Sequence, residues 1–179
     1  SQVTVRDYEA PDKSVGHGMT ALQDLEDDAE VWKFILELCQ DIGHRLYVFN
    51  KKATGIAIAV RDNELFTKQW QCGIPVPTQS PSVIAKEAFS LFTRSYGWKR
   101  PIRSLTVRAI NLTSLDTPCQ INMFSDPEKV ARAEALDKTI EELRHRYGKK
   151  IIRNACLLDN KKMSAEGNPN IIMPTGVPM

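Results

Sequence analysis

Side chains that catalyse reactions or hold metal ions are scattered along this chain. The cysteines stand singly with no C-x-x-C pair, and no histidine lies at ligand spacing, so the pattern predicts neither a zinc site nor a disulfide framework. These residues are Cys39, Cys72, Cys119, Cys156, His17, His44 and His145. The dense acids Glu26, Asp27 and Asp28 begin a predicted helix, where the helix dipole accounts for them. We therefore expect no catalytic residue, no metal and no cofactor in this chain.

Basic residues give a second chemical signal, because their distribution is lopsided. The net charge is only +2. Residues 1–30 hold eight acids against two bases, whereas the stretch from Arg94 to Arg108 holds five bases and no acid. Such a concentration of one sign favours a polyanionic partner, and a solvated basic loop is the alternative that charge alone leaves open.

Hydrophobic periodicity predicts the elements that position these bases. A first strand spans about 13–25, and a helix follows with Asp27 as its cap and Glu30 in the reciprocal capping position. Apolar residues then recur at steps of three and four, which is typical of a helix face that packs in a core. This stripe is Val31, Ile35, Leu38, Ile42 and Leu46.

The middle of the chain predicts a β-hairpin. GIAIAVR at 55–61 alternates strictly, which indicates a strand with one buried face, and 65–74 forms its partner strand. Pro75 and Pro77 should end that partner strand, because proline cannot donate to a sheet ladder. A second helix and a last strand follow, at about 80–97 and 102–112.

The predicted order is β-α-β-β-α-β, an α+β fold in which a four-stranded antiparallel sheet carries both helices on one face. Two helices cannot cover both faces, so the other face must meet water or a partner. By strand alternation, this open face carries Ala57, Ala59, Arg61, Ser104, Thr106 and Arg108. Small side chains allow close approach by something large, and the arginines indicate that it is anionic.

The C-terminal part of the chain predicts an extension helix. Ser125 and Glu128 have capping-box spacing, and an apolar stripe follows that should pack on the domain. The stripe is Ala133, Leu136, Ile140, Leu143 and Tyr147. A short amphipathic segment comes next, and from about Lys161 the composition favours a flexible tail.

Several stretches, taken in order, resemble one family. They are KSVGHGMT (13–20), GIAIAVR (55–61), RPIRSLTVRAINL (100–112), QINMF (120–124) and ALDKTIEELRHRYGKKIIRNACLL (135–158). Together they resemble the C-terminal little finger domain of bacterial Y-family, DinB-like translesion DNA polymerases of the ImpB-MucB-SamB type. The resemblance implies a linker from a preceding thumb domain at 1–12, the little finger at 13–116, a clamp-binding peptide at 117–125, a C-terminal helix and amphipathic segment at 126–158, and a flexible tail at 159–179.

The resemblance implies a DNA-binding part of a polymerase that is not an enzyme by itself. In this family the little finger lays its sheet along the major groove of the primer–template duplex and holds both phosphate backbones during lesion bypass. The metal-binding carboxylates belong to the palm, so Mg²⁺ is expected only in that missing domain. Matching positions assign phosphate contacts, partly through backbone N–H groups, to Lys13, Ser14, Val15, Gly16, His17, Arg61, Lys68, Gln69, Arg103, Ser104, Thr106 and Arg108.

The open face departs from the commoner pattern of the family. His17 and Ser104 stand where a basic residue is frequent, and Thr106 replaces a usual glycine. Ala57 and Ala59 replace longer polar residues. Fewer fixed charges predict a weak grip on duplex DNA, with strong salt dependence and little sequence preference.

QINMF resembles the short peptide by which bacterial polymerases dock on the sliding clamp. Gln120 would hydrogen-bond at the rim of the clamp pocket, with Ile121 and Asn122 following it. Met123 and Phe124 would fill an apolar cleft. The alternative is that the apolar residues of this peptide pin the third helix to the sheet.

Two other functions stay open at this point. One is an interaction module whose sheet edge or third helix pairs with a protein and never touches DNA. The other is a small α+β enzyme whose site the sequence does not reveal. No apolar run approaches the roughly 18 to 20 residues of a membrane helix, and the N-terminus lacks the layout of a secretion signal. We therefore expect a cytoplasmic protein with no membrane partner.

Overall fold

A computed structural model describes residues 13–115, 127–148, 151–158 and 162–163. The strands are β1 (Ser14–Leu25), β2 (Lys51–Asp62), β3 (Thr67–Thr78) and β4 (Ile102–Ser114). The helices are α1 (Asp28–Val48), α2 (Pro81–Ser95) and α3 (Pro127–Tyr147), followed by a short 3₁₀ helix at Ala155–Leu157. The predicted 1–12 linker and the peptide at 120–124 lie outside the described residues.

The four strands form one antiparallel sheet in the order β1-β4-β2-β3. β4 therefore separates the parallel strands β1 and β2, and β2 separates β3 and β4. Each pair is joined by a helix, and α1 and α2 pack against each other on the same face of the sheet. The predicted α+β class and the β-α-β-β-α-β order are confirmed, with α3 added at the end.

The hydrophobic core lies between α1, α2 and one face of the sheet. The predicted stripe of α1 is completely buried, and Phe34 and Phe92 are the largest side chains without exposed surface. From the sheet, the alternate residues Ile56 and Ile58 of β2 and Val107 of β4 reach the same cluster. The period-two pattern therefore identified the buried face of the sheet correctly.

The N-terminus of α1 has the predicted cap. Asp27 Oδ1 accepts a hydrogen bond from Glu30 N at 2.7 Å, and Glu30 Oε2 accepts one from Glu26 N at 2.8 Å. Glu30 thus reaches the residue before the cap. The carboxylates satisfy N–H groups that the first helical turn leaves without partners.

The predicted end of β3 is wrong. The strand continues through Pro75 and Pro77 to Thr78, and its register against β2 shifts between the pairs Ala53–Thr78 and Gly55–Gly73. β3 is an edge strand, so a proline without an N–H group costs no ladder bond on the solvent side.

The predicted contact stripe of α3 is correct only in part. Ile140 and Leu143 are half-buried, and the side chain of Ala133 lies outside the described residues. Leu136 and Tyr147 are 60% and 66% exposed, whereas Glu141 is buried. Glu141 Oε2 lies 2.7 Å from His44 Nδ1 of α1, and Arg144 Nη2 donates to Gln40 Oε1 at 2.6 Å. α3 therefore contacts α1 through polar pairs.

Two residues of the segment that we expected to be a flexible tail contact β1. Leu22 N donates to Lys162 O at 2.9 Å, and Lys162 Nζ lies 2.7 Å from Glu30 Oε1. The bond to Glu30 is the main cause of a raised pKa at Lys162. Met163 is buried in the core cluster. At these two residues the chain is therefore packed on the domain.

Candidate nucleic-acid interface

The open face of the sheet is organised in rows that run across all four strands. β4 lies between β1 and β2, so each of its outward residues has a partner on both sides. The rows are Gly16–Arg108–Ala57–Gln71, Gly18–Thr106–Ala59–Gln69 and Thr20–Ser104–Arg61–Thr67. None of these positions is acidic. We call this surface the open face.

Within the described residues, no helix packs on the open face. Its long polar side chains Arg61, Gln69 and Gln71 are exposed, as is Arg108. Ala57 is nevertheless only 3% exposed, because its row places the longer Arg108 and Gln71 on either side of it. The face therefore has a low centre with longer polar groups around it.

The two arginines of the open face differ from the other arginines of the sheet. Neither Arg61 nor Arg108 has a hydrogen bond or an ion pair from its side chain to any described residue. By contrast, Arg103 Nη1 lies 3.2 Å from Asp24 Oδ1, and Arg100 Nη2 lies 2.8 Å from Glu64 Oε2. The positive charge of the open face is therefore available to an external anion.

Glycines of β1 let side chains of β4 lie low across the sheet. A Cβ at Gly16 would come within 3.1 Å of Arg108 Cγ, so the aliphatic part of Arg108 runs over this glycine. A Cβ at Gly18 would collide with Thr106 Oγ1. The missing side chains thus keep this edge of the face flat.

Residues 12–123, well over half of the chain, match the impB/mucB/samB family C-terminal domain. The chain belongs to this family. The resemblance that the sequence predicted, to the little finger of Y-family polymerases, is thereby confirmed.

Curated relatives of this impB/mucB/samB C-terminal domain are DNA polymerase IV proteins. The chain is 35% identical over 164 residues to that of Acetivibrio thermocellus, and the match covers 92% of this chain and 41% of that protein. The polymerase of Clostridium acetobutylicum is 31% identical over 84% of this chain and 37% of its own length. DNA polymerase IV 1 of Bacillus subtilis is 27% identical, and the match covers 87% of this chain and 37% of that protein. The chain thus spans about two fifths of these relatives.

The structure divides the residues that the resemblance assigned to DNA between two sides of the sheet. The following lie in the open face by register: Ser14, Gly16, Arg61, Gln69, Ser104, Thr106 and Arg108. Lys13 is exposed just before β1. Val15, His17 and Lys68 alternate with these residues and belong to the helix side. Arg103 lies at the register shift between Ser104 and the buried Ile102, so alternation does not assign it to either side.

The helix-side residues have partners or surroundings of their own. Val15 is 3% exposed in the core, and His17 Nδ1 lies 3.3 Å from Asp41 Oδ2 of α1. Lys68 lines a cleft at the edge of β3. Among the residues that the resemblance assigned to DNA, those of the open face can therefore contact a ligand on that face with their side chains, and the helix-side residues cannot.

Sequence reasoning missed Thr20, Thr67 and Gln71 on the open face. Thr67 and Gln71 sit opposite Arg61 and Ala57, and Thr20 sits opposite Ser104. Their polar character and strand alternation would have identified them once the register was known.

In the described part of this C-terminal domain, no helix is long and apolar enough to cross a lipid bilayer.

Proposed function

We propose that this domain grips the primer–template duplex for a translesion DNA polymerase by placing its open face against the phosphate backbones. The proposal rests on one observation: a sheet face that no described helix covers, with no acid in its rows, carries two arginines whose side chains have no partner among the described residues. Family membership supports it, because the relatives of this chain are DNA polymerases.

The rows of the open face suit a phosphate backbone. Arg61 and Arg108 present planar guanidinium groups that bind phosphate oxygens by paired hydrogen bonds. The hydroxyls of Thr20, Ser104 and Thr106 add neutral donors between them. The low centre of glycines and alanines admits the duplex closely. Because the arginines and hydroxyls are assigned to phosphate oxygens, which carry no sequence information, binding should show little sequence preference.

Duplex binding is tested with the double variant Arg61→Ala, Arg108→Ala. Each arginine that neutralises a phosphate adds about 0.9 to the slope of log K against log salt, so the slope should become shallower by about 1.8. Fluorescence anisotropy of a labelled blunt duplex over a range of salt concentrations measures both affinity and slope.

The matched control is Lys86→Ala, Arg94→Ala. It removes two exposed positive charges from α2, on the helix side of the sheet. If the control changes the slope as much as the open-face variant does, net charge and not the open face drives binding. An unchanged slope in the open-face variant removes the proposal. No detectable duplex binding by the unmodified chain favours an interaction module that does not bind DNA.

We further propose that Gln120, Ile121, Asn122, Met123 and Phe124 dock this chain on the bacterial sliding clamp. Support comes from the sequence pattern and from the family. Met123→Ala, Phe124→Ala removes the two apolar anchors, which contribute about 3 to 6 kcal/mol before ordering costs, so clamp binding should fall more than tenfold. The exposed Leu158→Ala is the control, and unchanged clamp affinity in the double variant contradicts the proposal.

A further inference from the structure

A cleft of about 780 Å³ opens beside the β2–β3 turn, at the edge of the sheet formed by β3. The residues that follow α2 in the chain form the other wall of the cleft. Its chemically distinctive lining residues are Phe66, Lys68, Trp70, Tyr96, Lys99 and Arg100. Three aromatic rings and three cations thus meet in a space of the size of small-ligand sites.

Phe66 presents an exposed ring in a fixed position. Phe66 is 61% exposed. Its backbone is nevertheless fixed by the turn, because Asp62 Oδ1 accepts hydrogen bonds from Phe66 N at 2.9 Å and from Glu64 N at 3.0 Å. Leu65 completes the turn with a φ of 71°. The guanidinium carbon of Arg100 lies 5.3 Å from the centre of the Phe66 ring. The tight turn and the guanidinium of Arg100 therefore hold the apolar ring of Phe66 in a solvent-exposed position.

The opposite wall of the cleft is equally well fixed. Tyr96 packs edge-to-face on Trp70 with ring centres 6.2 Å apart, and its hydroxyl donates to Arg100 O at 2.7 Å. Burial, followed by the charge of Asp62, raises the pKa of Tyr96, so its ring stays neutral at physiological pH.

The charge of the cleft favours an anion. Lys68 and Lys99 are exposed and form no ion pair with any described residue. Arg100, by contrast, forms ion pairs with Glu64 at 2.8 Å and with Asp62 at 3.5 Å. Two ammonium groups without an ion pair to any described residue, beside the exposed ring of Phe66, match a nucleotide, which has a flat face and a phosphate.

The cleft adjoins the open face. Thr67 lies opposite Arg61 in an open-face row, and the next residue, Lys68, points to the cleft side by strand alternation. β3 is thus the boundary between the two surfaces. A DNA strand that leaves a duplex on the open face reaches the cleft by crossing this single edge strand.

We propose that the cleft binds a single-stranded segment of DNA that continues from the duplex, with a base stacked on Phe66 and phosphates on Lys68 and Lys99. Within a duplex, neighbouring base pairs cover both faces of every internal base, whereas an unpaired base next to the duplex offers its own face for stacking. The proposal rests on the proposed function, because the open face delivers the strand to the cleft.

The test compares four probes by anisotropy: a blunt duplex, the same duplex with a 5′ overhang, one with a 3′ overhang, and the single strand alone. One stacked base should make an overhang duplex bind at least about fivefold more tightly than the blunt duplex. Phe66→Leu keeps an apolar side chain without a ring face and should abolish this preference while leaving blunt-duplex affinity unchanged. Lys68→Ala, Lys99→Ala should weaken overhang binding. Leu65→Ala, beside Phe66 and equally exposed, is the control.

Several results would overturn the inference. Equal affinities of the unmodified chain for blunt and overhang duplexes would do so, as would an overhang preference that Phe66→Leu leaves intact. Displacement of the overhang by a deoxynucleoside triphosphate would assign the cleft to free nucleotide instead. If the single strand binds through Phe66 while the blunt duplex does not bind, the cleft is supported and the duplex function fails.

Discussion

Gly18 and Thr106 face each other across β1 and β4, and their contact shows how closely the open face is packed. A Cβ at Gly18 would lie 3.3 Å from Thr106 Cβ and closer still to Thr106 Oγ1. Threonine is stiff at χ1, so it escapes such a clash only by leaving its rotamer or by moving β1. The absence of a side chain at Gly18 is therefore tied to the residue on β4.

Substitution at this pair should give strongly coupled effects on stability. Gly18→Ala should lower the free energy of unfolding by about 1 kcal/mol in the unmodified chain, because the clash outweighs the gain in strand propensity. In a Thr106→Gly background the same change should raise it by about 0.5 to 1 kcal/mol. Urea denaturation of the four proteins measures the coupling, which should exceed about 1 kcal/mol.

The control for this cycle is Gly97→Ala. A Cβ at Gly97 meets no atom within 4 Å, so its effect should not depend on Thr106. Additive effects of the Gly18 and Thr106 substitutions would show that the sheet relaxes freely and that the open face is not closely packed.

Strand alternation allowed the sequence to predict part of the site at this scale. Alternation places Thr106 and Arg108 together on the open face, but it fails at Arg103, because the register of β4 shifts between Ser104 and Ile102. The sequence alone could not pair Arg103 with Asp24, because the register of β1 shifts between Thr20 and Leu25. Likewise, the resemblance assigned His17 to DNA, although alternation directs its side chain to α1.

At the scale of elements, periodicity predicted what depends on burial and failed where context decides. The apolar stripes of α1 and α2 face the hydrophobic core, so their patterns sufficed. The end of β3 depended on its place at the sheet edge, which the prolines do not reveal. The contact side of α3 combines polar pairs with the half-buried Ile140 and Leu143, so the apolar stripe identified it only in part.

α3 shows why polar contacts escape a search for apolar patterns. Glu141 is 5% exposed, and its carboxylate meets both His44 and Arg144. A buried carboxylate is tolerated when such partners surround it. Glu141 and Arg144 lie at i,i+3 spacing on α3, but 97 positions separate His44 from Glu141, so no sequence spacing predicts that pair.

At the scale of the whole molecule, the one-sided sheet separates stability from binding. All crossovers lie on the helix side, so the core is built there and the open face contributes little apolar burial. Arg61 and Arg108 are therefore free to be replaced without loss of the fold. The predicted order of strands and helices already indicated this division, but the cleft at β3 needed the structure, since the turn places Phe66 beside Arg100 and in the same cleft as Tyr96.

The buried core makes the stability of the molecule sensitive to alkaline pH. Burial raises the pKa of the Cys39 thiol far above its ordinary value of 9.0. A raised pKa in the folded state gives stability that is complete below the ordinary value and is lost as pH rises above it. Tyr96 adds to the loss above its ordinary value of 10.0.

The free energy of unfolding should therefore fall by about 1.4 kcal/mol for each pH unit above 9 on account of Cys39 alone. Cys39→Ala should be less stable near neutral pH, because it leaves a small cavity, but its deficit should shrink by about 2 kcal/mol between about pH 7.5 and about pH 10.5. Urea denaturation across this range measures the deficit. Cys156→Ala removes an exposed thiol and should keep the unmodified decline. A constant deficit for Cys39→Ala would mean that the thiol ionises as readily in the folded core as in the unfolded chain, which contradicts a closed core between the helices and the sheet.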